Sequence, residues 1–445
     1  MNRKLKKQTV WIGVITVLFS ALFISAYNQA TAAELSLEQA IALALQNSPE
    51  INIAGEQTIQ SGFAVEEAKG IYYPQVDVFA EAGREFNDPG NTRGSTIATG
   101  EAITNNSVNT TLSINQQLFD GFKTTEEIKR RKQLVSSSEI QAIRIKEQIM
   151  MDTIEAYLSI LRYQRADKAS FIFLHGMDEV EKKLVLMVNA GAESPAKLKF
   201  VQARLASARQ NKINILSNLA SAKHDLEKIV GQQINFEAQY SFDAHRVYDN
   251  IDTHYNLAFE HNKELLVQQS DRKALEHQLA SLHGGKYPTL NALVRLNQNH
   301  DVGGEIGRDR NASAMLQANF RVFDGFTGNA SRNRVASQIN EIDYSIDETK
   351  RDIRQRIKNL FNQYGSLSEE WNVLQQEITA NDRVRSLNQI QFEIGDADIL
   401  ELIEGEERYF NSRVRKYDIE FDYNITIYQL MQQSGLLTES AFFGN

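Results

Sequence analysis

The sequence contains no cysteine and only five prolines among its 445 residues. The lack of cysteine excludes a disulfide-stabilised scaffold and a metal site built from thiolates. With 24% charged residues and a mean hydropathy of −0.40, the chain is too polar for a polytopic helical membrane protein. Acidic residues outnumber basic ones by 57 to 48, and the net charge of −9 argues against a nucleic acid partner.

The one mostly apolar run lies at the N-terminus, in residues 10–24, after a stretch with four basic residues. Small residues follow from Ala30 to Ala33, and this layout is typical of a secretory signal peptide. We therefore predict a signal peptide over residues 1–33, with a retained N-terminal anchor as the alternative. No cysteine follows that could carry a lipid anchor, so an exported protein held in a membrane would need another means of attachment.

The rest of the sequence contains an internal repeat. The motif FDGF occurs at residues 119–122 and again 204 residues later, at 323–326. A Tyr-Pro pair upstream of each motif recurs after 214 residues, so the two copies differ by ten residues between that pair and FDGF. We predict two copies of one structural unit, a first in residues 34–231 and a second in residues 232–445.

The first unit begins with helix-forming residues from Leu35 to about Lys69, followed by the Tyr-Pro pair, which ends the helix. Apolar and polar residues then alternate in two segments. This period of two predicts strands at about 75–86 and 107–119, each with one apolar and one polar face.

The second unit repeats this alternation, which predicts strands at about 289–299 and 313–323. The stretches between the strands of each pair, residues 87–106 and 300–311, are polar and rich in asparagine and glycine. They predict long loops at the ends of two hairpins.

A long helix is predicted after each FDGF motif. Residues 123–188 contain no proline, and a helix of that length would reach about 100 Å. Gly191 and Gly395 are turn signals, after which the chain returns as a shorter helix with heptad spacing in the first unit. The pattern predicts helical hairpins at 123–230 and 327–434.

Gly121 and Gly325 stand where the strand pattern changes to the helix pattern, and we predict that they provide the bend from strand to helix. The phenylalanines of the two FDGF motifs are expected to lie near a membrane boundary as anchors. Packing of these rings in a protein core is the alternative.

Strands with one apolar face in an exported protein indicate an outer-membrane barrel, and a half-buried sheet in a water-exposed protein is the alternative. Four strands cannot close a barrel, and an open edge in lipid leaves backbone groups unpaired. A dimer would supply eight strands, and a trimer twelve with more room for a lumen. A periplasmic coiled-coil adaptor or scaffold without a channel would share the helices but would not need amphipathic strands.

The chain resembles the TolC family of outer-membrane efflux and type I secretion proteins over its whole mature length. The resemblance depends on the duplicated order of helix, proline, strand hairpin, FDGF and long helix. It also depends on the segments LSLEQA at 35–40 and NSPEI at 47–51, and on FEIG at 392–395.

The resemblance implies a homotrimer with a 12-stranded β-barrel in the outer membrane of a Gram-negative bacterium and an α-helical barrel in the periplasm. It also implies docking to a periplasmic adaptor, the membrane fusion protein, and to an inner-membrane ABC or RND transporter. The implied function is that of an exit duct, in contact with outer-membrane lipid, for small molecules or unfolded proteins. The absence of a lipid-anchor cysteine favours the type used in type I secretion.

The resemblance further implies that Glu401 and Glu404, six and nine positions after Gly395, form the pore constriction at the periplasmic entrance. A solvated acidic helix face is the alternative, because Glu406 and Glu407 spread the acidity around the helix. Gly191, Gly395 and Lys197 are expected at the tip turns and in adaptor docking, and a contact between Lys197 and Glu401 of neighbouring tips is a further hypothesis.

No catalytic constellation can be placed in the sequence. The eight histidines show no close ligand pair, so we expect no metal site and no cofactor. The glycine-rich segment 303–307 is predicted in a hairpin loop and does not precede a helix, which argues against phosphate binding. We expect the protein not to be an enzyme.

Overall fold

The computed structural model describes residues 33–88, 102–233, 236–238, 248 and 250–443. The predicted signal peptide, except its last residue, and most of the predicted loop at 87–106 lie outside the described residues. No helix in the described part of the chain combines the length and the apolarity of a membrane-spanning helix.

The elements follow one another as β1 (Ala33–Leu35), α1 (Leu37–Asn47), α2 (Pro49–Gly70), β2 (Gln75–Asn87), β3 (Ile103–Phe119), α3 (Lys123–Asn189), α4 (Pro195–Val230), β4 (Phe236–Ala238), α5 (Ile251–His261), α6 (Lys263–His283), a short 3-10 turn (Gly284–Lys286), β5 (Thr289–His300), β6 (Arg308–Asn319), α7 (Thr327–Ile394), α8 (Ile399–Gln433) and α9 (Ser440–Phe443).

Two β-hairpins form one antiparallel sheet in the order β2-β3-β5-β6. Gln75 is opposite Asn115 in the first hairpin, and Thr289 is opposite Asn319 in the second. These pairs correspond under the two repeat separations of 214 and 204 residues, so both hairpins have the same register. Pairing of β3 with β5 joins the units and leaves β2 and β6 as the two edge strands.

The fourth strand differs from the predicted segment of about 313–323. It begins at Arg308, because pairing with β5 continues as far as His300, and this shortens the predicted loop at 300–311 to residues 301–307. It ends at Asn319, because the following residues have no neighbouring strand among the residues that the structure describes. The equivalent residues at the end of β3 are paired only with β5, the strand contributed by the other unit.

The predicted single helix from Leu35 to Lys69 is in fact two helices. Ser48 has an extended backbone (φ −66°, ψ 120°) and Pro49 is the first residue of α2, where its missing N–H costs no hydrogen bond. At this break the Asn47 side-chain amide donates to the carbonyl oxygen of Val230, 3.0 Å away, which joins α1 to the C-terminal end of α4.

The helices α3 and α7 have 67 and 68 residues, so each is about 100 Å long. The two largest apolar clusters of the described residues lie among the helices. One surrounds the fully buried Tyr157 where α1, α3, α4 and α8 meet, and its hydroxyl donates to the carbonyl oxygen of Leu35 at 2.6 Å. The other lies near the far end of α3, where Phe173 stacks on Phe410 of α8 with ring centroids 4.7 Å apart.

Candidate functional sites at the helix tips and at the bends

The two helical hairpins turn in the same way. Gly191 and Gly395 have φ angles of +73° and +82°, a backbone conformation that favours glycine. In both turns the glycine N–H donates to the carbonyl three residues back, and the next N–H donates to the carbonyl five residues back. The returning helices then begin with side-chain caps, Ser194 for α4 and Asp398 for α8. Each cap accepts from the N–H two residues later, so the tip turns are structural repeats of one another.

An ion pair joins the two tips within one chain. The Lys197 Nζ lies 2.9 Å from Asp398 Oδ2 and 3.1 Å from a carboxylate oxygen of Glu193. These hydrogen bonds, that of Asp398 first, raise the pKa of Lys197. The Leu400 backbone N–H, and after it Lys197, lowers the pKa of Asp398. Lys197 is therefore engaged within its own chain by Asp398, whereas the sequence hypothesis gave it Glu401 of a neighbouring tip.

Further ion pairs lie about two turns along α8. Glu407 is 3.5 Å from Arg204 of α4, and Glu406 is 3.7 Å from Arg385 of α7. Burial raises the pKa of Glu406, although Arg385 acts in the opposite direction. The guanidinium of Arg385 also lies over the Tyr409 ring, 4.6 Å from its centroid. Two of the four acidic residues in this stretch therefore connect α8 to its neighbours.

Glu401 and Glu404 lie on the exposed side of α8, and the intervening Leu402 and Ile403 are buried. The Glu404 carboxylate contacts Arg408 of the same helix at 3.1 Å, and both side chains are more than 60% exposed. The carboxylate of Glu401 forms no ion pair with any described residue. The two carboxylates thus share one face, as their spacing predicts, and among the described residues only Glu404 has a cationic neighbour there.

The surface near both turns contains exposed apolar side chains at equivalent positions. Leu186 of α3 is 70% exposed, and Ile390, which stands 204 residues later in α7, is 56% exposed. Ile394 beside the second turn is 72% exposed. Each tip therefore presents an apolar position to its surroundings.

The sequence reasoning missed Asp398, Arg204 and Glu407 as parts of the tip. The repeat contained a signal for Asp398, because it is equivalent to Ser194 and both residue types cap helices. The partners of Arg204 and Glu407 depend on how α4 packs against α8, which local sequence does not define.

The strand-to-helix bends are also repeated. Gly121 and Gly325 have φ angles of +73° and +66°, in the left-handed region. The phenylalanine after each glycine also has a left-handed backbone conformation. The two phenylalanines of each motif pack edge to face with centroids 5.4 Å apart. The aspartate of each motif accepts from the backbone N–H four residues later, at 2.7 Å in the first bend and 2.8 Å in the second. This bond to the first turn of the following helix accounts for the D of FDGF, and the left-handed backbone accounts for the G.

The two bends differ in their surroundings. A Cβ on Gly121 would overlap the carbonyl oxygen of Gly284, at the end of α6 in the second unit. Phe119 likewise packs on Tyr287 of that unit, with ring centroids 6.5 Å apart. By contrast, nothing in the described chain lies within 4 Å of a Cβ built on Gly325.

The sequence pattern of the family described as outer membrane efflux protein matches residues 40–232 and 254–436. The two matched segments correspond to the two structural units and together cover most of the chain. No curated protein sequence matches the chain significantly.

Several solved structures have the same fold. CusC is superimposed with a TM-score of 0.79 at 12% identity, over 92% of this chain and 95% of CusC. VceC from Vibrio cholerae is superimposed with a TM-score of 0.76 at 15% identity, over 90% of this chain and 96% of VceC. The CmeC outer membrane channel of Campylobacter jejuni is superimposed with a TM-score of 0.77 at 13% identity, over 92% of this chain and 90% of CmeC. At these identities the likeness establishes the fold.

Proposed function

This chain belongs to the outer membrane efflux protein family, and we propose that three copies close its four-stranded sheet into a 12-stranded barrel above a periplasmic α-helical barrel. Membership of the family makes the protein an outer-membrane exit duct of an efflux system and not an enzyme. The trimer and its closure are supported by the surfaces that a single copy leaves uncovered.

The observation that carries the proposal is a stripe on α2. Six of its residues lie on one face and all are exposed: Ile53, Glu56, Gln60, Phe63, Glu67 and Gly70. The equivalent residues of α6, 214 positions later, are all covered or half-covered: Val267, Ser270, Ala274, His277, Ser281 and Gly284. In α6 this face packs against α3 of the other unit. By the same relationship, the exposed stripe of α2 would pack against α7 of a second copy.

The contacts at the internal junction indicate which residues meet between copies. Gly284 packs against Gly121, whereas no described residue of the same copy lies within 4 Å of a Cβ built on the equivalent glycines, Gly70 and Gly325. Copies related like the two units would bring Gly70 of one against Gly325 of the next.

The aromatic contact of the junction has a counterpart as well. Phe119 packs on Tyr287, and the equivalent residues are Phe323 and Tyr73, which are 70% and 71% exposed. Copies related like the two units would pack Tyr73 of one edge to face against Phe323 of the next. Burial of two such rings favours association.

The two edge strands of the sheet can pair between copies in the same way as β3 pairs with β5 within one chain. Ile114 of β3 is opposite Val294 of β5, and the equivalent pair is Ala318 of β6 and Ala80 of β2. Because β6 and β2 are the two edge strands of the four-stranded sheet, pairing them between copies removes both open edges of that sheet. Residues 320–323, which pair with no strand in the described part of the chain, would then gain a neighbouring strand as their equivalents in β3 do.

Three copies give twelve strands, enough for an open lumen, whereas the eight of a dimer would be filled by side chains. One face of the sheet is apolar, with Val78, Leu112, Leu296 and Ala312 following one another across the four strands. The opposite face is rich in asparagine, with Asn105, Asn109, Asn297 and Asn311. The apolar face suits lipid and the amide-lined face suits a water-filled lumen.

At the other end of the duct, Glu401 and Glu404 would form two stacked carboxylate rings in the trimer, which favour cations. Their shared exposed face on α8 supports this role. The tip turns at Gly191 and Gly395, with the exposed Leu186 and Ile390, are the proposed docking surface for a periplasmic adaptor, beyond which lies an inner-membrane ABC or RND transporter.

The cargo of the proposed duct is small molecules or unfolded proteins delivered by the inner-membrane transporter. The lack of any cysteine that could carry a lipid anchor supports the type used in type I secretion. A periplasmic scaffold without a channel would not need a sheet with one apolar and one polar face.

Cysteine cross-linking tests the assembly, because the natural chain has no cysteine to interfere. The double variant Ala80→Cys with Ala318→Cys places thiols on residues that would be direct cross-strand neighbours between copies, about 5 Å apart. Oxidation in outer membranes should yield species of two and three chains and nothing larger.

The matched control is Ala80→Cys with Ala312→Cys, because Ala312 lies six residues along the same face of β6. It should remain monomeric on a denaturing gel. Equal cross-linking of both pairs, or a ladder that continues beyond three chains, would contradict the closed trimer.

A further inference from the structure

Charged residues at the loop end of the sheet are separated by face. In β6, Arg308, Asp309 and Arg310 follow one another, so the two arginines point to one side and the aspartate to the other. Arg310 stands two residues before Ala312, which places both arginines on the apolar face. The acidic side chain lies on the asparagine-rich face.

The edge strand β2 shows the same separation. Arg84 stands six residues after Val78 and shares the apolar face, and Glu85 points to the asparagine-rich face. His300 of β5 is directly opposite Arg308 and so adds an imidazole to the side with the arginines. The apolar face thus ends, towards the hairpin loops, in cationic side chains.

These arginines are free to bind a ligand from outside. Arg84, Arg308 and Arg310 are all exposed, and within the described residues none of them forms an ion pair. Carboxylates are close in sequence, but the alternation directs them to the opposite face. The other end of the apolar face, towards the helices, has no basic residue in any of its four strands.

Position along the sheet determines the environment of the arginines. If the apolar face meets lipid, residues just beyond its end lie at the level of the lipid headgroups, where an arginine costs little to place. The helices occupy the opposite end of the sheet, on the periplasmic side, so the arginine end faces the outer leaflet. Guanidinium groups bind phosphate through two parallel hydrogen bonds, and their attraction to an anionic headgroup adds to this.

We infer that Arg84, Arg308 and Arg310 bind the phosphate groups of the phosphorylated glycolipid in the outer leaflet. The inference rests on the proposed barrel, since it needs the apolar face to be in contact with lipid. Closure of the barrel places β6 of one copy beside β2 of the next, so the three arginines of each copy belong to one belt around the trimer. The belt fixes the height of the barrel in the membrane.

The probe is purified lipopolysaccharide that carries both lipid A phosphates, beside the same preparation after enzymatic dephosphorylation. Detergent-purified protein is incubated with each, and the lipid retained per trimer is counted by native mass spectrometry. We compare the natural chain with the triple variant Arg84→Gln, Arg308→Gln, Arg310→Gln. The control is Arg295→Gln, which removes an arginine from the asparagine-rich face of the same sheet.

The natural chain and Arg295→Gln should retain phosphorylated lipopolysaccharide equally. The triple variant should retain at least about tenfold less, as expected from the loss of three arginines at a headgroup surface. Dephosphorylation should reduce retention by the natural chain to the level of the triple variant. Equal retention by the natural chain and the triple variant, or no effect of dephosphorylation, would overturn the inference.

Conductance in bilayers of uncharged phosphatidylcholine separates this inference from the proposed function. The arginines lie outside the lumen, so the triple variant should conduct like the natural chain there. Unchanged conductance together with unchanged lipid retention would overturn the arginine belt alone. Absence of conductance in every variant would instead count against the duct.

Discussion

Lys197 lies 2.9 Å from Asp398, and this contact joins the first turns of α4 and α8 at the tips of the two helical hairpins. Asp398 is at the same time the N-cap of α8, with its carboxylate accepting from the Leu400 N–H at 3.0 Å. One carboxylate thus begins a helix and fastens it to the other hairpin. We expect this link to hold the periplasmic end of the duct in its narrow state.

Loss of the charge on Asp398 should loosen the tip without removing the cap. Asp398→Asn keeps a side-chain oxygen for the Leu400 N–H but loses the ion pair with Lys197. Cells that produce this variant, or Lys197→Glu, should take up a large glycopeptide antibiotic that the intact outer membrane excludes, and growth inhibition measures this. Lys199→Glu, the same change at an exposed position without an ion pair among the described residues, should behave like the natural chain.

The acidic face of α8 should control ion selectivity. Glu401→Gln with Glu404→Gln removes two carboxylates per chain at the proposed entrance, so the preference for cations should decrease. The reversal potential of the trimer under a salt gradient measures this change. Glu260→Gln, which removes an exposed carboxylate far from the tips, should leave the reversal potential unchanged. A double variant as cation-selective as the natural chain would favour the solvated-face alternative.

Stability should depend on pH through Glu147, a buried carboxylate of α3. Burial raises its pKa from 4.5 to about 7, although Lys263 lies only 3.3 Å away and acts in the opposite direction. An unfolded chain releases this proton near pH 4.5 and the folded chain keeps it to about pH 7. Stability therefore decreases as pH rises through this interval, by about 3 kcal/mol for the whole shift, and stays lower above it.

Glu147→Gln should remove this dependence. The difference in free energy of unfolding between pH 5 and pH 8, from urea titrations, should shrink by about 2.5 kcal/mol relative to the natural chain. Only the difference in free energy of unfolding between the two pH values is diagnostic. The variant also leaves Lys263 without its carboxylate, which changes the stability itself. Glu264→Gln, at the neighbouring half-exposed residue that pairs with Arg356, serves as the control. An unchanged difference in Glu147→Gln would contradict this role of burial.

Alanine at the bends should separate folding from assembly. At Gly121 a methyl group would overlap Gly284 of the same chain, so Gly121→Ala should reduce the yield of folded protein. At Gly325 the space is open within one copy, and only the left-handed backbone opposes alanine, by about 1–2 kcal/mol. Gly325→Ala should therefore fold but fail to trimerise, because the methyl group would meet Gly70 of the next copy. Gel filtration and circular dichroism distinguish the two defects, and Gly285→Ala is the control.

Much of the fold follows from the repeat, and the departures from it have physical causes. The alternation in β2 and β5 depends on local side chains and can be read from the sequence. The end of β6 at Asn319 depends on whether another strand lies beside it, which is a property of the assembly. The break before Pro49 is a local feature, but helix-forming residues on both sides concealed it.

The candidate site was less accessible to sequence reasoning. Gly191 and Gly395 are recognisable because only glycine adopts their backbone conformation easily. The partner of Lys197 is a different matter. Asp398 and Glu401 are three residues apart on α8, and the choice between them depends on how α4 and α8 pack, which neither helix determines alone.

Single-channel conductance of the trimer purified from outer membranes tests the duct most directly. The natural chain in planar bilayers should show small, cation-selective steps, and Lys197→Glu should show larger ones, because the tips separate when the Asp398 contact is lost. A correctly folded trimer that conducts no ions, both as the natural chain and as Lys197→Glu, would contradict the account.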